Sequence, residues 1–459
     1  MNASSPTALS PPITDEAIYD RSFWLAYAAN LMLVCANSLT FRFAEFIASL
    51  GGKEGLSGDI VQAGLIAAIV FRLGLAPAID RVGPRLVWLA SSVVYVAGGA
   101  AFLIPEGLSA IVWIARIAYS AGLAGMFSCS IVHIQNQVPA HRRTEIIGSL
   151  GSSGFVGTIL GTQLSDLIFA WLPAGDLRFD PRFVAMFGGA AALGLAHMAV
   201  VFWLTRHDTH FPPRSAPGPF RLLFRYWPGP IILVAVAMGA GFVVTTIFLT
   251  RFATAMHLRG IALFFLPYSL TAFGCRWLFR DWGTAFGRHK MVLWGLAGMT
   301  AGHLLFLPVT TDWLLVLPAV VCGFGHSLLF PAVVSIGAGR FPIEYRGSGT
   351  TLVLGFTELG LGLAAPLMGR LIDWGNAGGG TLGFSWMFVS AAAIAGGVGL
   401  LYAATAARHP DRDPHHDLAR TVGEALVEVE SDAGEIIAVP AAETISGSSE
   451  SSPPLHKGG

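Results

Sequence analysis

Twelve apolar runs, most near twenty residues long, follow one another along this chain, and no other feature restricts its fold so severely. A bilayer core about 30 Å thick is crossed by roughly 20 predominantly apolar residues in helical form. Separated by Gly, Pro or charge, the runs cover 22–49, 58–80, 84–104, 108–137, 143–172, 183–205, 229–252, 260–280, 290–308, 312–339, 346–373 and 382–406. The fourth, fifth, tenth and eleventh are long enough to project past the lipid. The reading is an all-α polytopic membrane protein with 12 transmembrane helices.

Composition enters as a check. Of 459 residues, 54% are hydrophobic and 12% charged, where soluble domains carry about 45–50% and about 25%; an ordinary water-soluble domain is excluded. Residues 1–407 hold 24 basic and 18 acidic side chains and residues 408–459 hold 4 and 10, so the zero net charge is the sum of +6 and −6. No clustered basic face invites nucleic acid. Cys35, Cys129, Cys275 and Cys322 each stand alone in an apolar run, without disulfide or zinc spacing, and no cofactor or metal is expected. Asp15, Glu16 and Asp20 with only Arg21 make a poor n-region for a secretory signal, so the first run reads as a retained helix.

Orientation follows from Lys and Arg in the loops. With the N-terminus inside, the inner side of 1–407 holds fourteen of them, among them Arg81, Arg85, Arg288 and Lys290, and the outer side clearly holds four, Lys53, Arg178, Arg182 and Arg259. Both termini are therefore expected in the cytoplasm, and the protein is expected in the cytoplasmic (inner) membrane. The loop 206–228 contains five prolines and divides two sets of six runs. The expected organisation is a tail 1–21, a bundle 22–205, a linker 206–228, a bundle 229–407 and an acidic tail 408–459 that reads as disordered.

The halves repeat. Arg72 to Gly83, then Gly98 and Pro105, return as Arg276 to Gly287, Gly302 and Pro308 at an offset of 204 falling to 203. Pro139 and Arg143 return as Pro342 and Arg346 at 203, and Arg42-Phe43-Ala44 as Arg251-Phe252-Ala253 at 209. Several matches in one order at nearly one offset describe two parallel halves about an axis along the membrane normal.

At this point the sequence resembles the major facilitator superfamily of secondary transporters over residues 22–407. The superfamily's loop after its second helix reads Gly-x-x-x-Asp-Arg-x-Gly-Arg-Arg/Lys. Here Ala76-Pro77-Ala78-Ile79-Asp80-Arg81-Val82-Gly83-Pro84-Arg85 keeps Asp80, Arg81, Gly83 and Arg85. The second half keeps Gly287, Arg288 and Lys290 with Thr284 at the acidic place and Asp281 nearby. The resemblance implies a cytoplasmic gate at Asp80, Arg81, Gly83, Arg85, Arg288 and Lys290; plain helix capping is the simpler role for the same residues. Gly148, Gly157 and Gly161 match the start of the superfamily's antiporter pattern, and Thr162 to Asp166 depart from its end.

Ionisable side chains within a span are functional candidates because they are costly there. Asn30, Asn37 and Glu45 share a face of the first helix within about 60–80° at 100° per residue, and Arg42 lies three residues before Glu45. Arg116 and Tyr119 head a polar ladder through Ser120, Phe127, Ser130, His133 and Gln137 on the fourth; Arg251 ends the seventh, and His326 is about mid-depth in the tenth. The resemblance implies that the first, fourth, seventh and tenth helices line the central path, making Asn30, Asn37, Arg42, Glu45, Arg116, Tyr119, Arg251 and His326 the expected cavity residues. Glu358, near the middle of the eleventh, is a proton-coupling candidate, an ion-pair partner or a substrate contact. Arg42, Arg251 and Arg116 against Glu45 suggest an anion.

The expected function is secondary transport of a small solute by a monomer working by alternating access, as proton-coupled export of an organic anion; a multidrug-type or sugar permease is the alternative. A channel or receptor on the same fold lacks a filter or sensor segment. A rhomboid-like serine protease, from Gly151-Ser152-Ser153-Gly154 with His197 as base, is the remote rival.

Overall fold

The computed structural model describes residues 19–104, 107–137, 143–175, 180–207, 218–278, 287–342 and 345–405. Among these residues there is no strand, and twelve long helices carry the fold: α1 (Arg21–Ser49), α2 (Glu54–Val82), α3 (Pro84–Ala101), α4 (Ala110–Gln137), α5 (Arg143–Trp171), α6 (Pro181–Leu204), α7 (Ile231–Ala255), α8 (Ala262–Leu278), α9 (Arg288–Leu304), α10 (Asp312–Gly339), α11 (Arg346–Gly375) and α12 (Leu382–Thr405). Eight are long and apolar enough to cross a membrane by themselves, while α3, α5, α8 and α9 are shorter or less apolar. The linker holds one short helix, Pro219–Arg225. The tails 1–18 and 406–459 and residues 208–217 lie outside the described residues.

Local chemistry sets the boundaries. The Asp20 carboxylate accepts the Phe23 amide at 2.8 Å and caps α1, while Asp180 caps α6 with Pro181 in its first turn. Gly83 alone joins α2 to α3 at φ +94°, and Gly287 opens α9 at +88°, a backbone region where a side chain would be strained. The first helix of each half is locally irregular near its repeated arginine. A 3-10 turn occupies Thr40–Arg42 in α1 and a π segment Val244–Phe248 in α7.

Packing repeats after six helices. α1 lies on α5 and α6, α3 on α4 and α6, and α2 on α4; α7 lies on α11 and α12, α9 on α10 and α12, and α8 on α10. The halves meet through α2 on α11 and α5 on α8, contacts that exchange with each other under the same operation. Two six-helix bundles about a pseudo-two-fold axis produce this pattern. Close approach relies on small residues: a Cβ at Gly161 would stand 2.4 Å from the Cys35 carbonyl oxygen in α1, and one at Gly239 in α7 only 1.8 Å from that of Thr357 in α11. Gly157 packs on α1 in the same way, so two of the three antiporter-pattern glycines have a packing role.

An aromatic cluster fills matching places in both halves. Phe43, Phe102 and Phe187 pack in the first, with Phe102 and Phe187 stacked at 4.6 Å. Phe252, Phe306 and Phe388 pack in the second, with Phe306 and Phe388 stacked at 4.7 Å. The bundle exterior stays apolar, with Trp171 and Leu400 both 77% exposed and Ile114, Leu270 and Trp313 beside them on the surface. A surface of that kind is covered by lipid.

Candidate functional site

Polar groups meet between the halves at two levels. At the end bearing Arg42 the contacts are dense. Arg42 Nη1 donates to Glu45 Oε1 and Oε2 at 2.8 and 2.9 Å, and Nη2 donates to Asp166 Oδ1 at 2.6 Å, with the guanidinium 4.3 Å from the Phe169 ring centre. Asp166 Oδ2, from α5, accepts the backbone amides of Ile261 and Ala262 at 2.7 and 2.6 Å and so caps α8 in the other half. The corresponding end of α11 does the reciprocal thing. Asp373, from α11, accepts the amides of Glu54 and Gly55 at 3.0 and 2.8 Å and caps α2. Both carboxylates lie where the positive end of a helix dipole favours them. Arg251 Nε donates to Glu54 Oε1 at 2.6 Å, Thr254 to Glu45 Oε1 at 3.2 Å, and Arg370 to Asp59 at 2.8 Å.

These pairs correct the charge count drawn from the sequence. Arg42 and Arg251 do approach one end of the molecule, but Asp166 and Glu54 answer them, and a guanidinium taken out of water is tolerated when it is paired in this way. No excess of positive charge remains on those two residues. Arg116 differs: among the described residues no carboxylate pairs with it, and its guanidinium lies 4.6 Å from the Phe43 ring centre and 5.7 Å from that of Tyr119.

Beneath this layer, the α1–α4 wall carries a hydroxyl chain. Tyr95 donates to Tyr119 at 3.1 Å, Tyr119 stands 3.1 Å from Thr40 Oγ1, and Asn37 Oδ1 is 3.5 Å from the Tyr119 hydroxyl. Asn30 Nδ2 instead donates to Ser153 Oγ at 2.7 Å, so it joins α1 to α5. The face shared by Asn30, Asn37 and Glu45 thus has three separate partners.

At mid-depth, Arg72 Nη2 in α2 donates to Glu358 Oε1 in α11 at 2.5 Å, and its Nη1 reaches Ser128 at 3.3 Å. Arg276 in α8 meets rings, with its guanidinium 4.7 Å from the centre of Phe155 in α5 and 5.3 Å from that of Phe330 in α10. His326 Nδ1 is hydrogen-bonded to the Tyr268 hydroxyl, which joins α10 to α8. Phe242 lies 5.0 Å from the His326 ring.

At the end bearing Gly83, Arg85 donates to the Arg206 carbonyl at 3.1 Å and Arg288 to Ser335 at 3.0 Å, both within one half; Lys290 is exposed. The side chains of Asp80, Arg81 and Arg346 lie outside the described residues. The protease pair does not form. Ser153 Oγ donates to the Leu150 carbonyl at 2.5 Å, while His197 accepts from Trp88 Nε1 at 3.0 Å and stands 2.8 Å from the Ala29 carbonyl oxygen. Asp166, Glu54, Asp373 and Phe155 were absent from the sequence-derived site. Asp166 and Asp373 were discoverable, since each is an acid close to the end of a long apolar run.

Comparison with known proteins agrees with this architecture. The family model described as Major Facilitator Superfamily matches residues 23–282 and 261–442. An MFS-type transporter, YhhS, of Salmonella enteritidis is 26% identical over 216 residues, 47% of this chain and 50% of that protein. Its Escherichia coli K12 namesake is 28% identical over 193 residues, 41% and 47%. The matched region spans about half the length of these relatives. Among solved structures, the nucleoside transporter NupG superposes with a TM-score of 0.66 at 13% identity, covering 84% of this chain and 99% of that one. An auto-inhibited POT family peptide transporter gives 0.66 at 13%, covering 86% and 98%. At such identity the likeness concerns the fold.

Proposed function

The chain belongs to the major facilitator superfamily, a family of secondary transporters embedded in the membrane, and on that premise we propose that it exports a small organic anion in exchange for protons. The two halves rock about a central seat that is closed at the Arg42 end and faces the end bearing Gly83. The reading is carried by where the polar links between halves lie among the described residues: Asp166, Asp373, Arg251 and Arg370 all fasten the Arg42 end, and Arg72 with Glu358 joins the halves at mid-depth. Alternating access needs such links at one end to break as the other end closes.

The excess of Lys and Arg in alternate loops supports a cytoplasmic Gly83 end. Proton coupling is assigned to Glu358, because a proton there would remove the countercharge of Arg72 and loosen α2 from α11. Asp80 and Arg81 are assigned to the gate at the cytoplasmic end, where Asp80→Asn should weaken transport while membrane insertion stays normal. Counterflow into proteoliposomes, screened over organic anions, sugars, amino acids and cationic drugs with and without a pH gradient, tests the reading. Glu358→Gln should retain counterflow and lose the dependence on the gradient; a sugar or cation as the sole substrate refutes the anion.

A further inference from the structure

Arg72 and Arg276 are repeat mates at an offset of 204. Each reaches across from its own half, Arg72 to α11 and Arg276 to α5. At the offset of 203 that relates Arg143 to Arg346, the mate of Glu358 is Phe155. Two equivalent crossings therefore contain the same guanidinium and different answers to it, a carboxylate 2.5 Å from Arg72 and an aromatic ring centred 4.7 Å from Arg276. No carboxylate of a described residue pairs with Arg276, and its Nε is buried without a hydrogen-bond partner.

The surroundings define what could complete the site. Phe155 and Phe330 flank Arg276 and also neighbour His326, at ring separations of 6.2 and 5.9 Å, and Phe242 closes on the same histidine. With Nδ1 engaged by Tyr268, His326 keeps Nε2 without a hydrogen bond. Aromatic faces leave a guanidinium's donor edge for a planar acceptor, and a carboxylate takes two parallel hydrogen bonds there that an ammonium would not match. Arg72 is already neutralised by Glu358 and Arg116 is set apart against Phe43 and Tyr119, so at this seat one uncompensated cation, Arg276, calls for one negative charge. Walls of Phe favour an aromatic body by offset or edge-to-face contact.

We propose that Arg276 seats a monovalent aromatic carboxylate whose ring lies among Phe155, Phe330 and Phe242, with His326 at its edge. The proposal rests on the transport reading above and names its substrate class. Calorimetric titration of the purified full-length chain with benzoate, salicylate and indole-3-acetate tests it, with benzamide as the uncharged counterpart and phthalate as the dianion. At least one of the three monocarboxylates should bind tenfold or more tighter than benzamide and phthalate. Phe155→Glu supplies Arg276 with the partner that Arg72 has and should weaken binding at least tenfold, as should Arg276→Gln; Arg276→Lys should fall between them and the parent. Size-exclusion profiles verify folding, and Phe155→Leu, which keeps an apolar side chain, should lose only a few-fold. Unchanged affinity in folded Phe155→Glu and Arg276→Gln overturns the seat, and so does equal binding of benzamide. If the parent protein counterflows another solute while binding none of the three probes, the seat is overturned and the transport reading stands. If the probes bind through Arg276 and no solute counterflows, the seat stands and the transport reading falls.

Discussion

Phe43, Phe102 and Phe187 in the first half stand where Phe252, Phe306 and Phe388 stand in the second, yet the polar groups near them do not match. Gly98 lets α3 approach Tyr119 in α4, and its mate Gly302 lets α9 approach Cys322 in α10. Where the first half has the hydroxyl pair Tyr95 and Tyr119, the second has Met299 and Cys322 at offsets of 204 and 203. The second half instead holds Tyr268 with His326. Helix packing asks the same of both halves, so the apolar frame repeats. On the transport proposed above, an asymmetric solute near an approximate two-fold axis would ask different things of each half, and the polar groups do diverge.

Truncating the shared frame should have the largest effect. Phe102→Ala and Phe306→Ala should each cost about 3–5 kcal/mol in denaturant unfolding in micelles, and to a similar extent; tolerance by one half alone would break the equivalence. Next come the reciprocal caps, where Asp166→Asn and Asp373→Asn each weaken charge-assisted bonds worth about 1.5–3 kcal/mol. In a background without the four native cysteines, an impermeant maleimide should then label Phe265→Cys, which faces Phe41 across the halves at 5.2 Å, several-fold faster. Unaltered labelling in the double variant would show that the caps do not hold that end closed.

Third is the mid-depth pair. Arg72→Met and Glu358→Met should each lower stability more than the double replacement does, with a coupling of about 0.5–3 kcal/mol; simple additivity would separate the two residues. The smallest effect tests the divergence itself. Tyr95→Phe should cost about 1 kcal/mol through the lost bond to Tyr119, and Met299→Leu should cost less than about 1.5 kcal/mol.

Much of the fold was legible because lipid acts on hydropathy locally. The runs at 143–172, 312–339, 346–373 and 382–406 correspond to α5, α10, α11 and α12 with ends within a few residues. The second apolar run begins at 58, but α2 starts at Glu54: Asp373 accepts the Glu54 and Gly55 amides, so the first turn is held by a residue on α11 that no local pattern identifies. The polar face of α1 was visible as periodicity. Its division among Ser153, Tyr119 and Arg42 was not, because a period of 3.6 residues defines a face and says nothing of the neighbour.

By itself the sequence determined the helical crossings, their repeat, and which spans contain an Arg, Glu or His, since each of these is read along one segment at a time. Only the tertiary structure decided who answers whom. Arg42 belongs to Glu45 and to Asp166, 124 residues away, Arg251 to Glu54, and Arg72 to Glu358, while Arg276 meets Phe155. The physical reason is that the cost of a buried charge depends on the group facing it within a few ångströms, and that group is chosen by which helices touch.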